Sequence, residues 1–268
     1  MSRAVNKPQE KDYLWLHLKE LPYFRSILRA VEASYYPGFA LESPILDVGC
    51  GDGHFAQIAF DALIDVGLDP WEGPIREAKR RNIYRMLVRA DAARIPYPDN
   101  YFASAFSNSV LEHIPHVEAT LAEVARVLRA GGAFVFCVPN DRFAQNLSVA
   151  RFFDRLGLGR MAGAYRNFFN RISRHQHTDP LPLWEQRIQK AGFTLVRHWN
   201  YFSPAALRAL EWGHYFGLPA LVARALTGRW ILAPARWNLA ITEAYARRYA
   251  GSEETPDGAY SFYIVRKG

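Results

Sequence analysis

The chain has only two cysteines in 268 residues, Cys50 and Cys137, so no disulfide framework organises it and a reducing compartment is expected. It has no uninterrupted apolar run of the roughly 18 to 20 residues that a bilayer span requires. Residues 1–20 mix charged residues with Trp and Leu and lack the apolar core and cleavage pattern of a secretion signal. A cytoplasmic protein is expected, at most peripheral at a membrane. Half of the residues are apolar, enough for one large core or a core with a cap.

What is present is concentrated in residues 45–56, Ile-Leu-Asp-Val-Gly-Cys-Gly-Asp-Gly-His-Phe-Ala. The apolar residues around Asp47 suit a strand buried on both faces that stops at Gly49. Gly49, Gly51 and Gly53 then recur at every second position. Glycine admits positive φ and close approach of a ligand to the main chain, and the N–H groups that open the following helix point at whatever binds there. The spacing lacks the wider gap of the dinucleotide fingerprint, and no Gly-Lys-Ser/Thr follows as a phosphate loop needs. Asp52 reads as an acid offsetting the helix macrodipole.

The loop opens a periodic α/β pattern. Residues 64–68 form a second strand ending at Asp69, an acid placed where such folds hold a ribose through its hydroxyls. A third strand around 86–89 leads to Asp91, and a fourth, 102–107, leads to Asn108-Ser109-Val110-Leu111-Glu112-His113-Ile114. Helix 117–129 carries Val117, Leu121, Val124, Val127 and Leu128 at helical spacing and stops at Gly131-Gly132. A fifth strand, 133–138, follows.

Residues 46–53, Asp69, the run 90–99, the segment 108–114 and Leu128-Arg129-Ala130-Gly131-Gly132 resemble, in order and spacing, the successive motifs of class I S-adenosylmethionine-dependent methyltransferases. The similarity covers residues 41–140 and is strongest to the ubiquinone/menaquinone-biosynthesis-like branch. It implies a Rossmann-like, seven-stranded, mostly parallel sheet, S-adenosylmethionine as cofactor and S-adenosylhomocysteine as product. By that resemblance Asp47 and the backbone of Gly49, Cys50 and Gly51 cradle the methionine part, with the Asp47 carboxylate near its ammonium. Asp69 takes both ribose hydroxyls, Pro70 and Trp71 lie against the adenine, Asp91 and the Ala92 N–H read its edge, and Asn108 lines the sulfonium end through its main chain.

Charge divides the chain. Residues 1–141 carry 15 Lys and Arg against 18 Asp and Glu, a balance of −3; residues 142–250 carry 16 against 5, a balance of +11. A basic half suits an anionic partner, although a solvated arginine surface gives the same composition. Two aromatic and basic segments, 141–180 and 204–257, interrupt the expected core. The organisation expected is therefore an N-terminal helical cap (1–40), a cofactor-binding core (41–140), a helical insertion (141–180), a core helix and strand (181–203), a second helical insertion (204–257) and a last core strand (258–268). Both insertions return to the carboxyl ends of strands, where open α/β sheets bind ligands, so with the cap they are expected to form a lid over the acceptor. Trp, Phe, Leu and Arg together also suit a membrane interface, a plain lid or a dimer contact.

A sulfonium methyl is already activated, so alignment supplies much of the catalysis and a base matters only when the acceptor must lose a proton. The candidates are His113, His175 and His177. His175-Gln176-His177 has no Cys or carboxylate cluster beside it at metal-ligand spacing, and no metal is expected. The expected activity is transfer of methyl to an O or C atom of a small hydrophobic or lipid-like acceptor, an anionic group on it being suggested by the basic half alone. A non-catalytic cofactor-binding module and, behind it, an RNA methyltransferase are the alternatives; nucleic acid is disfavoured because the arginines are interleaved with core-like apolar residues.

Overall fold

A computed structural model describes residues 11–268. Residues 1–10 of the expected 1–40 cap lie outside the described residues. The cap supplies α1 (Tyr13–Leu18) and α2 (Tyr23–Tyr35). The sheet then alternates with helices: β1 (Ile45–Val48), α3 (His54–Ala59), β2 (Ile64–Asp69), α4 (Glu72–Arg81), β3 (Tyr84–Arg89), β4 (Phe102–Asn108), α5 (Val117–Val127) and β5 (Leu128–Pro139). Three helices follow, α6 (Asp141–Gln145), α7 (Ser148–Arg155) and α8 (Gly159–Ser173). Next come α9 (Leu181–Lys190), β6 (Phe193–Tyr201), α10 (Pro204–Phe216), α11 (Leu218–Thr227), α12 (Arg236–Arg247) and β7 (Tyr260–Lys267).

The strands form one sheet in the order β3-β2-β1-β4-β5-β7-β6. All pairings are parallel except those of β7, which runs antiparallel to both β5 and β6. This is the seven-stranded, mostly parallel architecture the motifs imply. Alternation along the strands divides the core between its two faces. Phe134 and Phe136 pack with Leu46, Val48, Leu121 and Trp184 on one side. Val135 and Cys137 pack on the other, with Ile27 and Val31 of α2 and Leu207 of α10.

The apolar stripe of α2, Phe24, Ile27, Leu28 and Val31, follows the three-and-four spacing of an amphipathic helix. Helix α10 lies so close to it that a Cβ at Gly213 would stand 2.3 Å from Phe24 Cβ. Glycine is what permits that approach. Ser203 starts α10 by accepting from Ala206 N at 3.2 Å, and Asn140 starts α6 by accepting from Arg142 N at 3.0 Å.

Some boundaries differ from expectation. Helix α5 ends at Val127, and β5 begins at Leu128 instead of 133, because Leu128 pairs with Phe102 before the register resumes at Ser104 and Ala133. Strand β3 begins at Tyr84, two residues early; it is a sheet edge with little burial, so alternation marks it weakly. The strand order reverses between β1 and β4, and a crevice opens there outside the carboxyl ends.

Candidate active site

Strand β1 runs straight into the glycine loop. Gly49 has φ +82°, and a Cβ there would stand 2.3 Å from a Val110 methyl. The Gly49 and Cys50 N–H groups both donate to Leu68 O, at 2.8 and 2.9 Å, which ties the loop to the end of β2. Asp69 closes the arrangement: its Oδ2 accepts from Gly51 N at 3.1 Å and its Oδ1 from Trp71 N at 2.9 Å. Each oxygen keeps a lone pair for a further donor.

Asp47 is buried, and its Oδ2 accepts from the Tyr84 hydroxyl at 2.6 Å. Burial raises its pKa from 3.8 to about 7; Tyr84 opposes the rise and Asp69 adds to it. A carboxyl in that condition favours a cationic ligand, whose charge would restore the ionised form.

All ten sequence-identified cofactor residues line one cleft: Asp47, Gly49, Cys50, Gly51, Asp69, Pro70, Trp71, Asp91, Ala92 and Asn108. Trp71 is 70% exposed and so offers a free aromatic surface, whereas Ala92 is buried beside the exposed Asp91. The donor set fits S-adenosylmethionine: a buried carboxyl for a cation, a pinned carboxylate for hydroxyls, a free aromatic surface for a base, and a loop whose backbone only glycine allows. The cleft extends beyond these residues under α2, the end of α8, α10 and α11, with a volume of about 1520 Å³. A pocket for one small molecule usually measures about 300–1,000 Å³, so there is room for a cofactor and an acceptor together.

The three histidines separate. His113 and His175 both line the cleft, with ring centroids 5.7 Å apart. His113 Nδ1–H donates to Arg174 O at 2.9 Å; a carbonyl can only accept, so Nε2 carries the lone pair. His175 is pushed down to about 3, by burial first and then by His113, which makes it a feeble base. His177 is not part of the cleft wall: its Nε2–H donates to Ile114 O at 2.9 Å, and Asp179 lies 3.3 Å from its Nδ1. The chain turns after His175 and carries the His177 ring towards the α5–α9 side, where Asp179 also pairs with Arg187, so the structure brings His113 and His175 together and sets His177 apart. Among the described residues no group of three or more His, Cys, Asp or Glu converges on a metal position.

Sequence reasoning missed the polar network around Asn108. Glu32 of α2 is fully buried and accepts from Asn108 Nδ2 and Ser109 Oγ, both at 2.6 Å, and from Tyr201 OH at 3.1 Å. Arg29 pairs with Glu32 at 2.9 Å and also donates to Asn108 O at 3.2 Å. These residues are up to 169 positions apart in sequence, and only the helical phase of Arg29 and Glu32, three residues apart, hinted at a pair. Glu112 was noted only as the neighbour of His113. It is buried, lines the cleft, and its Oε2 has no partner among the described residues. Burial pushes it from 4.5 to about 8, with Arg29 opposing.

Residues 46–136 match the family described as "Methyltransferase domain". The demethylmenaquinone methyltransferase of Symbiobacterium thermophilum is 33% identical over 112 residues, which are 38% of this chain and 44% of that protein. The ubiquinone/menaquinone biosynthesis C-methyltransferase UbiE of Burkholderia cenocepacia is 28% identical over 185 residues, 63% of this chain and 73% of the relative. The fatty-acid O-methyltransferase of Mycolicibacterium smegmatis is 34% identical over 104 residues, 37% of this chain and 38% of the relative. The chain thus spans less than half of the first and third of these proteins and about three quarters of the second. In fold it is similar to geranyl diphosphate methyltransferase in complex with SAM, with a TM-score of 0.54 at 15% identity, covering 92% of this chain and 90% of that one. Fold, glycine cradle and matches agree: residues 46–136 are a methyltransferase domain of the class I S-adenosylmethionine-dependent kind, similar to ubiquinone/menaquinone-biosynthesis methyltransferases, and S-adenosylmethionine is its cofactor.

Proposed function

We propose that this chain transfers the methyl group of S-adenosylmethionine to an oxygen or carbon atom of a small hydrophobic or lipid-like acceptor. The observation that carries the reading is the continuity of the cleft. One end is the glycine loop with Asp47, Asp69 and Asp91; the other is walled by Phe24, Leu28, Phe55, Leu210 and Leu221. An apolar chamber opening onto the cofactor end rewards an acceptor that leaves water. Relatives named for quinone precursors and for fatty acids support the same class.

In this reading Asp47 and Gly49–Gly51 hold the methionine end, Asp69 the ribose, and Pro70, Trp71, Asp91 and Ala92 the adenine. Asn108 meets the sulfonium end through its main chain; its carbonyl already accepts from Arg29 and has one lone pair left. The protein's main contribution is then alignment. Where the acceptor must lose a proton, His113 Nε2 is the group placed to take it, and Glu112 Oε1 lies 3.7 Å from that nitrogen. His175 orients the acceptor.

The test is transfer of tritiated methyl from S-adenosylmethionine into an extract of the source cells, separated into lipid, small-molecule and nucleic-acid pools, with Asp69→Ala as control. Label in the lipid or small-molecule pool is expected. Label confined to nucleic acid, or none despite tight binding of S-adenosylhomocysteine, overturns the reading.

A further inference from the structure

Three arginines of the cleft have no counterion among the described residues. Arg25, Arg174 and Arg224 all line it, and none has an ion pair or a side-chain hydrogen bond among the described residues. Arg25 and Arg224 converge on one aromatic ring: their guanidinium carbons lie 5.7 and 4.7 Å from the centroid of Trp230. The indole Nε1–H of Trp230 is buried without an acceptor among the described residues. Two cations and a donor therefore meet where no oxygen of the described residues satisfies them.

Such an arrangement is costly unless something anionic completes it. Burial and repulsion from Arg29 push Arg25 down to about 10, with Arg224 adding to the effect and Asp52 opposing it from beyond ion-pair distance. Stacking on the indole offsets part of that cost and fixes the guanidinium planes, which suits them to bind oxyanions with paired N–H donors. The surroundings are apolar: Leu21, Leu28, Leu218 and Leu221 line the same part of the cleft.

The position is informative as well. Arg25 and Arg29 are successive residues on one stripe of α2, four apart, so they lie about 6 Å apart along the helix axis. Arg29 reaches Asn108 O, at the end where the sulfonium is placed in the proposed function. Arg25 stands one turn further out. An anion held there is separated from the methyl donor and is a recognition element rather than the atom methylated.

We propose that Arg25, Arg224 and Trp230 form an anion-binding subsite that takes the carboxylate or phosphate group of an amphiphilic acceptor and holds it about one helical turn from the atom that receives the methyl. The proposal rests on the methyltransferase reading and specifies its substrate: an acceptor with an apolar body and a terminal oxyanion.

The experiment is calorimetric titration of the full chain, saturated with S-adenosylhomocysteine, with dodecanoate, dodecyl phosphate and dodecan-1-ol. It is repeated with Arg25→Gln, Arg224→Gln and the double variant. At least tenfold tighter binding of one or both anions over the alcohol is expected for the unaltered protein. That advantage should fall to within about threefold in either single variant, while affinities for dodecanol and S-adenosylhomocysteine stay within twofold. The tighter anion tells whether the group recognised is a carboxylate or a phosphate. Equal affinities for alcohol and anions, no binding of either anion below millimolar concentration, or an undiminished preference in the double variant overturns the subsite. Methyl transfer into the extract is measured separately: its absence alongside an intact anion preference sinks the catalytic reading and leaves the subsite standing.

Discussion

The Tyr84 hydroxyl crosses Gly67 to reach Asp47 Oδ2 at 2.6 Å, linking the edge strand β3 to the end of β1 beneath the glycine loop. A Cβ at Gly67 would lie 2.9 Å from two atoms of the Tyr84 ring. The absent side chain in β2 is what lets one donor serve the buried carboxyl, and it couples a residue outside the recognised motifs to the one expected to face the cofactor's ammonium.

Cofactor affinity should depend on pH through Asp47. With its pKa raised to about 7 in the empty cradle, Asp47 is protonated below that value, and binding a cation must expel the proton. Affinity for S-adenosylhomocysteine is therefore expected to rise about tenfold from pH 6 to the plateau above pH 7–8. Calorimetry at pH 6 and 8, in buffers of different ionisation enthalpy, reads both the affinity and the released proton. Asp47→Asn should bind more weakly and show a flat profile.

Replacing Tyr84 or Gly67 should move that profile. Tyr84→Phe removes the bond that holds Asp47 down, so the midpoint shifts to higher pH. Gly67→Ala forces the ring aside, with the same shift and a stability loss of about 1–3 kcal/mol from overpacking. Urea unfolding measures the second effect. A Gly67→Ala protein with an unchanged midpoint would show that the ring can move without losing Asp47.

Glu112 should make the fold less stable as pH rises. Its folded pKa, about 8, exceeds the ordinary 4.5, so the folded state binds the extra proton between those values. Its contribution is fully present below pH 4.5 and is lost as pH climbs through 8. Glu112→Gln abolishes the loss and should gain on the parent protein by a few kcal/mol above pH 8, while the two stay close near pH 5. Melting temperatures across pH 5–9 decide the matter; parallel curves would contradict a carboxyl held protonated by burial.

Asp69→Ala should weaken S-adenosylhomocysteine binding by about a hundredfold, the loss expected from two charge-assisted hydrogen bonds. It also releases Gly51 N and Trp71 N, so Asp69→Asn, which keeps one acceptor oxygen, should fall between. Binding calorimetry with circular dichroism as a check on the fold separates ligand contact from loop support.

Gly49→Ala should abolish cofactor binding. The new methyl meets Val110 at 2.3 Å, and the backbone there has φ +82°. Adding Val110→Ala relieves the clash but not the conformation, so the double variant should recover only part of the affinity. Full recovery would mean that the contact alone, and not the positive φ, requires glycine.

The sequence by itself determined the sheet and the glycine loop, because these depend on local signals, and its resemblance to a family named the residues proposed to hold the cofactor. Strand alternation, a glycine at a position of positive φ and an acid at a strand end are each written within a few residues. It also marked both insertions and their basic character. Tertiary structure alone decided what lines the cleft beyond the glycine loop. Arg29 and Glu32 meet Asn108 and Ser109 across 76 and more residues, Tyr84 reaches Asp47 across a neighbouring strand, and Arg25 meets Arg224 on the face of Trp230. The same packing put His113 and His175 on the cleft wall and His177 outside it. Such partners carry no shared local pattern: their meeting is fixed by how α2, α8, α10 and α11 pack over the carboxyl ends of the strands, a matter of shape and buried area rather than of spacing along the chain.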